Sequence, residues 1–222
     1  MKIVCISDSH CRLRKVTIPD GDILVHTGDL TFRGDISETS QELRELGRYR
    51  DKFKAIVLVE GNHDWLGARQ PELMDQMCKD NGITLLRDSG ATIEGLRFYG
   101  SPWQPAFCNW AWNLDRGGYE LREKWALIPQ DTQVLLTHGP PMGILDTVER
   151  FNGQKCEFEL EHLGCYDLWN RVQELKDLKL HVFGHLHFSG GQTLKMGSTT
   201  FANAAVCTEE YRPTNKPITF EI

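Results

Sequence analysis

Short apolar runs recur along the chain, and each is followed by turn-forming or polar residues. Several of these runs are almost continuously aliphatic, which is typical of β-strands that are covered on both faces. Glycine, asparagine, aspartate and serine separate them. The pattern predicts strands over residues 2–8, 22–29, 55–64, 83–89, 91–101, 132–139, 180–187 and 217–222.

Segments between the strands carry apolar residues at helical spacing. Residues 39–42, Thr-Ser-Gln-Glu, form a capping-box sequence, which predicts a first helix starting at Thr39. Its apolar stripe is Leu43, Leu46, Tyr49 and Phe53. Pro71 predicts the start of a second helix that ends at residues 81–82, and a third is predicted from about Cys165. Strands that alternate with helices predict an α/β fold, in which ligands bind beyond the carboxyl ends of the strands.

Five of the predicted strands end in aspartate, asparagine or histidine. These ends are Asp8-Ser9-His10, Gly28-Asp29, Gly61-Asn62-His63-Asp64, Thr137-His138-Gly139 and Gly184-His185-Leu186-His187. Taken alone, the last of them indicates two hydrogen-bonded histidines at a strand end more strongly than a shared ligand. If the sheets bring all five ends together, carboxylates and imidazoles share one small volume, and cations would offset the cost of burying them.

The ligand types indicate which cations to expect. Oxygen and imidazole ligands without thiolate favour manganese, iron or zinc over calcium, and they disfavour a structural zinc site. The candidate ligands outnumber the needs of one ion. We therefore expect two divalent metal ions, with Asp29 as a bridging carboxylate.

The motifs D-x-H, G-D, G-N-H-D, H-G-P-P and G-H-x-H occur in this order between residues 8 and 187. This series resembles the calcineurin-like metallophosphoesterase superfamily. Residues 100–105, 137–141 and 162–165 further resemble its small metallophosphoesterase-domain-containing proteins of the fetal-brain type. The resemblance implies one metallophosphoesterase domain over residues 1–222, built as a four-layer αββα sandwich of two mixed β-sheets flanked by helices.

The resemblance also implies a role for each strand-end residue. One metal ion would be held by Asp8, His10, Asp29 and His187, and the other by Asp29, Asn62, His138 and His185. His63 would donate a proton to the leaving group or hold a phosphate oxygen, with Asp64 orienting its ring; capping a turn is the alternative. Substrate binding is expected from Asn62, His63 and His162, and for His162 a structural role is an equal alternative.

The expected function is that of a dinuclear-metal-dependent phosphohydrolase. The subfamily resemblance favours a phosphodiesterase acting on small substrates such as cyclic nucleotides, with a metal-bridging hydroxide attacking phosphorus. The alternatives are a phosphomonoesterase or nuclease of the same superfamily, and a weakly active nucleotide-binding or scaffold protein.

Two segments are expected to border the site. The tryptophan-rich residues 103–114 suit neither a strand nor a helix, and we expect them to cover the end of a sheet as a hydrophobic plug. The alternatives are a surface for stacking a nucleobase and a subunit contact in a homodimer. Residues 140–163 are predicted to form a second loop. We expect core roles for His26 and His181, and solvated surface roles rather than phosphate contacts for Arg12, Arg14 and Arg33.

Composition narrows the possible partners and compartment. The net charge of −6 and the absence of a basic block disfavour a nucleic-acid polymer and leave a small phosphoester as the expected partner. Seven cysteines without a C-x-x-C pair predict free thiols in a reducing compartment. No stretch reads as a membrane span or a signal peptide, so a cytoplasmic location is expected.

Overall fold

The computed structural model describes residues 1–152 and 157–222, and only the backbone at residues 151, 152 and 157. Its helices are α1 (Ile36–Gly47), α2 (Trp65–Arg69), α3 (Pro71–Asp80), α4 (Tyr119–Ala126) and α5 (Tyr166–Glu174). Its strands are β1 (Lys2–Ile6), β2 (Ile23–Thr27), β3 (Ala55–Val59), β4 (Thr84–Leu85), β5 (Ser89–Ile93), β6 (Leu96–Ser101), β7 (Gln104–Pro105), β8 (Asn113–Leu114), β9 (Val134–Thr137), β10 (Thr147–Asn152), β11 (Glu157–His162), β12 (Leu180–Phe183), β13 (Gln192–Met196), β14 (Thr199–Asn203) and β15 (Ile218–Glu221). None of the described helices combines the length and the apolar character that a membrane crossing requires.

Two large sheets organise the described strands. The first has the order β15-β1-β2-β3-β4, and the second has the order β13-β14-β12-β9-β6-β5. The central strands of each sheet run parallel, while β15, β13 and β5 pair antiparallel at the edges. Both sheets are therefore mixed, as predicted. A parallel bridge between Ser7 and Ala205 joins the end of β1 to the residues after β14, so strands of both sheets end at a shared edge.

Three clusters of buried apolar side chains correspond to the spaces between the layers. The middle cluster joins the facing sides of the two sheets, for example Val25 of β2 and Leu136 of β9. The neighbouring residues on these strands point away from it, as Leu24 and Leu135 do, and pack in the two outer clusters. Because both faces of each central strand are buried, the aliphatic runs are nearly continuous. The layers confirm the predicted α/β sandwich.

The predicted start of α1 at Thr39 is wrong. The helix begins at Ile36, and the Asp35 carboxylate accepts a hydrogen bond from the backbone N–H of Glu38 at 2.9 Å. The Glu38 carboxylate in turn accepts from the backbone N–H groups of residues 32–34. A second cap-like sequence, Asp-Ile-Ser-Glu at 35–38, thus lies just upstream of the predicted one.

Other element boundaries also differ from the predictions. Residues 91–101 do not form one strand, because a turn at Glu94-Gly95, with positive φ at both residues, separates β5 from β6. The predicted loop over 140–163 contains the antiparallel hairpin of β10 and β11. These two strands pair with each other in a separate sheet, and their charged residues obscured the alternation that identifies strands. The helices α2 and α4 and the strands β13 and β14 were not predicted.

The position of the α1 cap can be tested by mutation. We expect Asp35→Ala to lower the free energy of unfolding by about 1 kcal/mol, because a backbone N–H loses its partner. Ser40→Ala is the matched control inside the helix, where alanine is well tolerated, and it should change stability by less than about 0.5 kcal/mol. Urea unfolding followed by circular dichroism measures both, and equal losses would contradict the cap assignment.

Candidate metal centre

The backbone is strained at four of the predicted metal ligands. Asp8, His10, Asp29 and His185 have positive φ angles of 54°, 42°, 54° and 67°. Such conformations cost about 1–3 kcal/mol each in non-glycine residues and are concentrated at functional sites. Hydrogen bonds hold two of them in place: the backbone N–H of Asp8 donates to the Gly28 carbonyl at 2.9 Å, and that of His10 to the Asp29 carbonyl at 3.0 Å.

Asp8, His10 and His187 form the first group of side chains. The Nε2 atom of His187 lies 3.1 Å from Asp8 Oδ1 and 3.2 Å from His10 Nε2. The Nδ1 atoms of the two rings contact the carbonyls of Thr31 (3.2 Å, His10) and Thr208 (2.9 Å, His187). A carbonyl oxygen can only accept, so each Nδ1 carries a proton, and in the neutral form of each ring Nε2 directs a lone pair toward the other.

Asp29, Asn62 and His138 form the second group, next to the first. His138 Nδ1 donates to the Thr27 carbonyl at 2.9 Å, which leaves a lone pair on Nε2 in the neutral ring. That Nε2 atom lies 2.9 Å from Asn62 Oδ1 and 3.4 Å from Asp29 Oδ1. The other oxygen of Asp29, Oδ2, lies 3.7 Å from His10 Nε2, so one carboxylate faces both groups.

The chemistry of these donor atoms fits divalent cations. Lone pairs of nitrogen and oxygen converge in each group without a hydrogen between them, so a cation or an added proton has to occupy the space. An added proton is the alternative to a metal: burial alone would lower the pKa of His138, yet the Asp29 carboxylate raises it to about 9. Three overlapping sets of residues each have their possible ligand atoms within 4.8 Å of one another. The sets are Asp8 with His10 and His187, His10 with Asp29 and His63, and Asp8 with Asp29 and His138.

His185 occupies a more peripheral position than the other predicted ligands. It does not belong to these three sets; its ring centroid lies 5.0 Å from that of His138. Its backbone N–H donates to both carboxylate oxygens of Asp8, at 3.1 and 3.0 Å. Burial lowers the pKa of His185 to about 3, so its ring is neutral and able to bind a metal.

The structure contradicts the predicted role of Asp64 as the partner of the His63 ring. His63 Nδ1 contacts the Phe32 carbonyl at 2.7 Å instead. The carboxylate of Asp64 is buried and accepts from the backbone N–H groups of Leu30, Thr31 and Gly61 and from the Thr31 hydroxyl. Asp64 therefore ties the end of β2 to the end of β3, because its position at the start of α2 turns it away from the imidazole.

A cavity of about 260 Å³ opens above the two groups. The predicted site residues that line it are His10, Asp29, Asn62, His63, His185 and His187. Phe107, Trp110 and Val148 also line the cavity and belong to the two segments expected to border the site, and Leu186 belongs to the last strand-end motif. The residues that were not predicted are Glu209 and Tyr211. Asp8 and His138 lie beneath, fully buried. Glu209 and Tyr211 follow the last parallel strand in a segment without periodicity, so the sequence offered no signal for them.

The structure does not bring His162 into the cavity. It lies at the end of β11, its side chain is 56% exposed, and its Nδ1 contacts the buried Asp146 carboxylate at 2.6 Å. The predicted substrate contact is therefore wrong, and its alternative structural role fits. No arginine lines the cavity among the described residues, and Arg12 donates to the His10 carbonyl at 2.8 Å.

The histidines expected in the core are found there. The side chain of Ser9, which stands between the predicted ligands Asp8 and His10, lies 3.0 Å from His26 Nε2. The hydroxyl of Thr137, next to the predicted ligand His138, lies 2.9 Å from His181 Nε2. Both rings are fully buried, and each supports a strand end that carries a predicted ligand.

The tryptophans of residues 103–114 lie in two different environments. Trp103 and Trp112 pack edge to face at 5.2 Å, and the Trp103 indole N–H donates to Asp88, as expected of a plug. Trp110 instead lies against His63, with ring centroids 4.2 Å apart and planes 33° from parallel. Trp110 thus presents an aromatic surface to the cavity.

This fold, with buried acidic and imidazole donors at its strand ends, defines a class of protein that can hold divalent cations. The Calcineurin-like phosphoesterase family profile matches residues 1–213, and the chain belongs to that family. The human protein "Metallophosphoesterase domain-containing protein 1" is 37% identical over 243 residues, covering 100% of this chain and 71% of that protein. A UPF0046 protein of Caenorhabditis elegans is 37% identical over 235 residues, covering 100% of this chain and 75% of that protein.

Solved structures show the same architecture. The crystal structure of TT1561 from Thermus thermophilus superimposes with a TM-score of 0.57 at 12% identity, covering 91% of this chain and 88% of that one. At this level of identity the similarity concerns the fold.

The tight approach of Gly184 to Asp8 gives a test of the centre. A Cβ atom on Gly184 would overlap Asp8 Oδ2, whereas one on Gly139 would meet nothing closer than Gln104 Cβ at 3.6 Å. We expect Gly184→Ala to displace the carboxylate and to destabilise the fold by about 1–3 kcal/mol. Gly139→Ala, which also follows a ligand-bearing strand, is the control. Thermal unfolding and metal content measure the effect, and similar results for the two variants would contradict it.

Proposed function

We propose that this protein is a dinuclear-metal-dependent phosphodiesterase that hydrolyses small substrates such as cyclic nucleotides. The observation that carries the proposal is the position of Asp29, whose two oxygens face two separate groups of lone-pair donors. That arrangement suits a carboxylate shared between two ions. We treat residues 1–222 as one domain, which the family match over residues 1–213 supports.

We assign Asp8, His10, Asp29 and His187 to one ion and Asp29, Asn62, His138 and His185 to the other. Manganese, iron or zinc suits this oxygen and nitrogen donor set. Two bound divalent ions would lower the pKa of a coordinated water and polarise the phosphoryl oxygens. The Thr27, Thr31 and Thr208 carbonyls fix the rings of His138, His10 and His187, so each Nε2 is directed at its ion before the ion binds.

His63 is the proton donor in this proposal. The Phe32 carbonyl accepts from Nδ1, so Nε2 is the atom left to act on the substrate, and it lies 3.9 Å from Asp29 Oδ2. Trp110 covers one face of the ring and limits its rotation. A proton delivered from Nε2 to the leaving oxygen would make the alcohol a better leaving group.

The size and lining of the cavity support small substrates. A volume of about 260 Å³ accommodates a molecule of roughly the size of a mononucleotide rather than a folded polymer. Phe107 and Trp110 offer aromatic surfaces on which a base can stack. The net charge of −6 disfavours a nuclease.

We also propose a cytoplasmic location, since the described cysteines, including the exposed Cys108, are free thiols. A homodimer contact through the tryptophan-rich segment stays a prediction.

Hydrolysis of a chromogenic diester tests the function directly. With manganese added we expect turnover, which a chelator abolishes and added metal restores. Asp29→Asn should lower kcat/KM by more than about 100-fold, because it weakens both ion sites. His162→Gln is the matched control outside the cavity and should stay within about twofold. Folded wild-type protein that binds no metal and hydrolyses no diester would contradict the proposal.

The role of His63 is tested separately. His63→Gln should lower kcat by about 100-fold while two metal ions per chain are retained, since general acid catalysis contributes about 100-fold or more. The loss should be smaller for substrates with acidic leaving groups, which need no proton. Metal analysis and kcat values for two leaving groups measure this, and an equal loss for both substrates would count against proton donation.

A further inference from the structure

The described wall of the cavity is formed without a lysine or arginine side chain. Arg12 is engaged with the His10 carbonyl, and Arg14 forms an ion pair with Glu45. Phosphate sites without metal usually rely on such side chains. In the proposed function, the positive charge that attracts a phosphate comes from the metal ions.

A carboxylate, Glu209, lines the same cavity. Its side chain is exposed, and within the described parts of the chain it has no hydrogen-bond or ion-pair partner. It lies between Thr208, whose carbonyl holds His187 at 2.9 Å, and Tyr211, whose ring packs 4.8 Å from that of His10. Glu209 thus belongs to the segment that supports the group of Asp8, His10 and His187. In the proposed function its carboxylate binds neither ion.

We propose that Glu209 is a specificity-determining residue that disfavours dianionic phosphomonoesters and so selects monoanionic diesters. This inference rests on the proposed function. A monoester carries close to two negative charges above its second pKa of about 6, whereas a diester carries one. Repulsion from Glu209 therefore penalises the monoester more, and no lysine or arginine of the described wall offsets it.

Apolar residues of the wall favour the same substrate. Phe107, Trp110 and Val148 present apolar surface to the cavity, and Trp110 lies directly over His63. The second ester substituent of a diester would bury this surface, whereas a monoester has no group to place there. The charge of Glu209 and the apolar surface of the wall thus both favour the diester over the monoester.

Two substrates with the same leaving group test the proposal. We compare kcat/KM for bis(para-nitrophenyl) phosphate and para-nitrophenyl phosphate with the metal-loaded full chain at about pH 8, where the monoester is a dianion. The variants are Glu209→Gln and, as a matched control, Glu210→Gln. Glu210 has the same charge and is next in sequence, but its carboxylate accepts from the Thr208 hydroxyl at 2.9 Å and does not line the cavity.

We expect Glu209→Gln to lower the ratio of diester to monoester kcat/KM by about fivefold, mainly through a lower KM for the monoester. Glu210→Gln should leave the ratio within about twofold. About 1 M salt should reduce the difference between wild type and Glu209→Gln, because the screening length falls to about 3 Å. An unchanged ratio in Glu209→Gln, or the same change in Glu210→Gln, would overturn the proposal.

Binding of inorganic phosphate provides a readout that does not require turnover. Calorimetric titration of the metal-loaded protein should give a Kd about fivefold lower for Glu209→Gln than for wild type. If neither ester is hydrolysed but phosphate affinity still rises in this variant, the proposed function fails, whereas the repulsion of a phosphate dianion by Glu209 stands. If both esters are hydrolysed and neither the ratio nor the affinity changes, the role of Glu209 fails alone.

Discussion

The structure depends on a group of buried oxygen and nitrogen atoms near Asp29. Three pairs of these atoms, His10 with His187, His138 with Asn62 and Asp8 with His187, lie about 3 Å apart with lone pairs facing each other. Atoms that can only accept do not attract each other, so this arrangement is stable only when positive charge lies between them. The rest of the fold can be understood as support for it. Parallel strands from two sheets end at one edge, and the backbone adopts costly positive φ angles there so that the side chains can face inward.

A layer of hydrogen bonds around the donors keeps them from turning away. Carbonyl groups accept hydrogen bonds from the Nδ1 atoms of the predicted ligands His10, His138 and His187. The Asp64 carboxylate accepts hydrogen bonds from backbone N–H groups at two strand ends. His26 and His181 support neighbouring serine and threonine hydroxyls. All of these contacts are made between groups of the chain itself, so the chain alone positions these donor atoms.

The mouth of the cavity is built from other kinds of residue than its base. Its residues come from the tryptophan-rich segment, from β10 and from the segment after β14, and their contribution is charge and apolar surface. In the proposed function, the base of the site would bind the phosphoryl group that all esters share. Selection between esters would then arise at the mouth, which Trp110, Glu209 and Tyr211 line.

The sequence by itself determined the sheet-forming runs, the α/β class and the polar residues at the strand ends, because strand periodicity and ligand type are local properties. It could not place the start of α1 correctly, since two cap-like sequences lie within a few residues and packing chose between them. Only the tertiary structure separated Asp64 from the His63 ring, excluded His162 from the cavity and brought Glu209 and Tyr211 into it. Those outcomes depend on how loops distant in sequence pack over the strand ends, and such contacts leave no periodic signal in the chain.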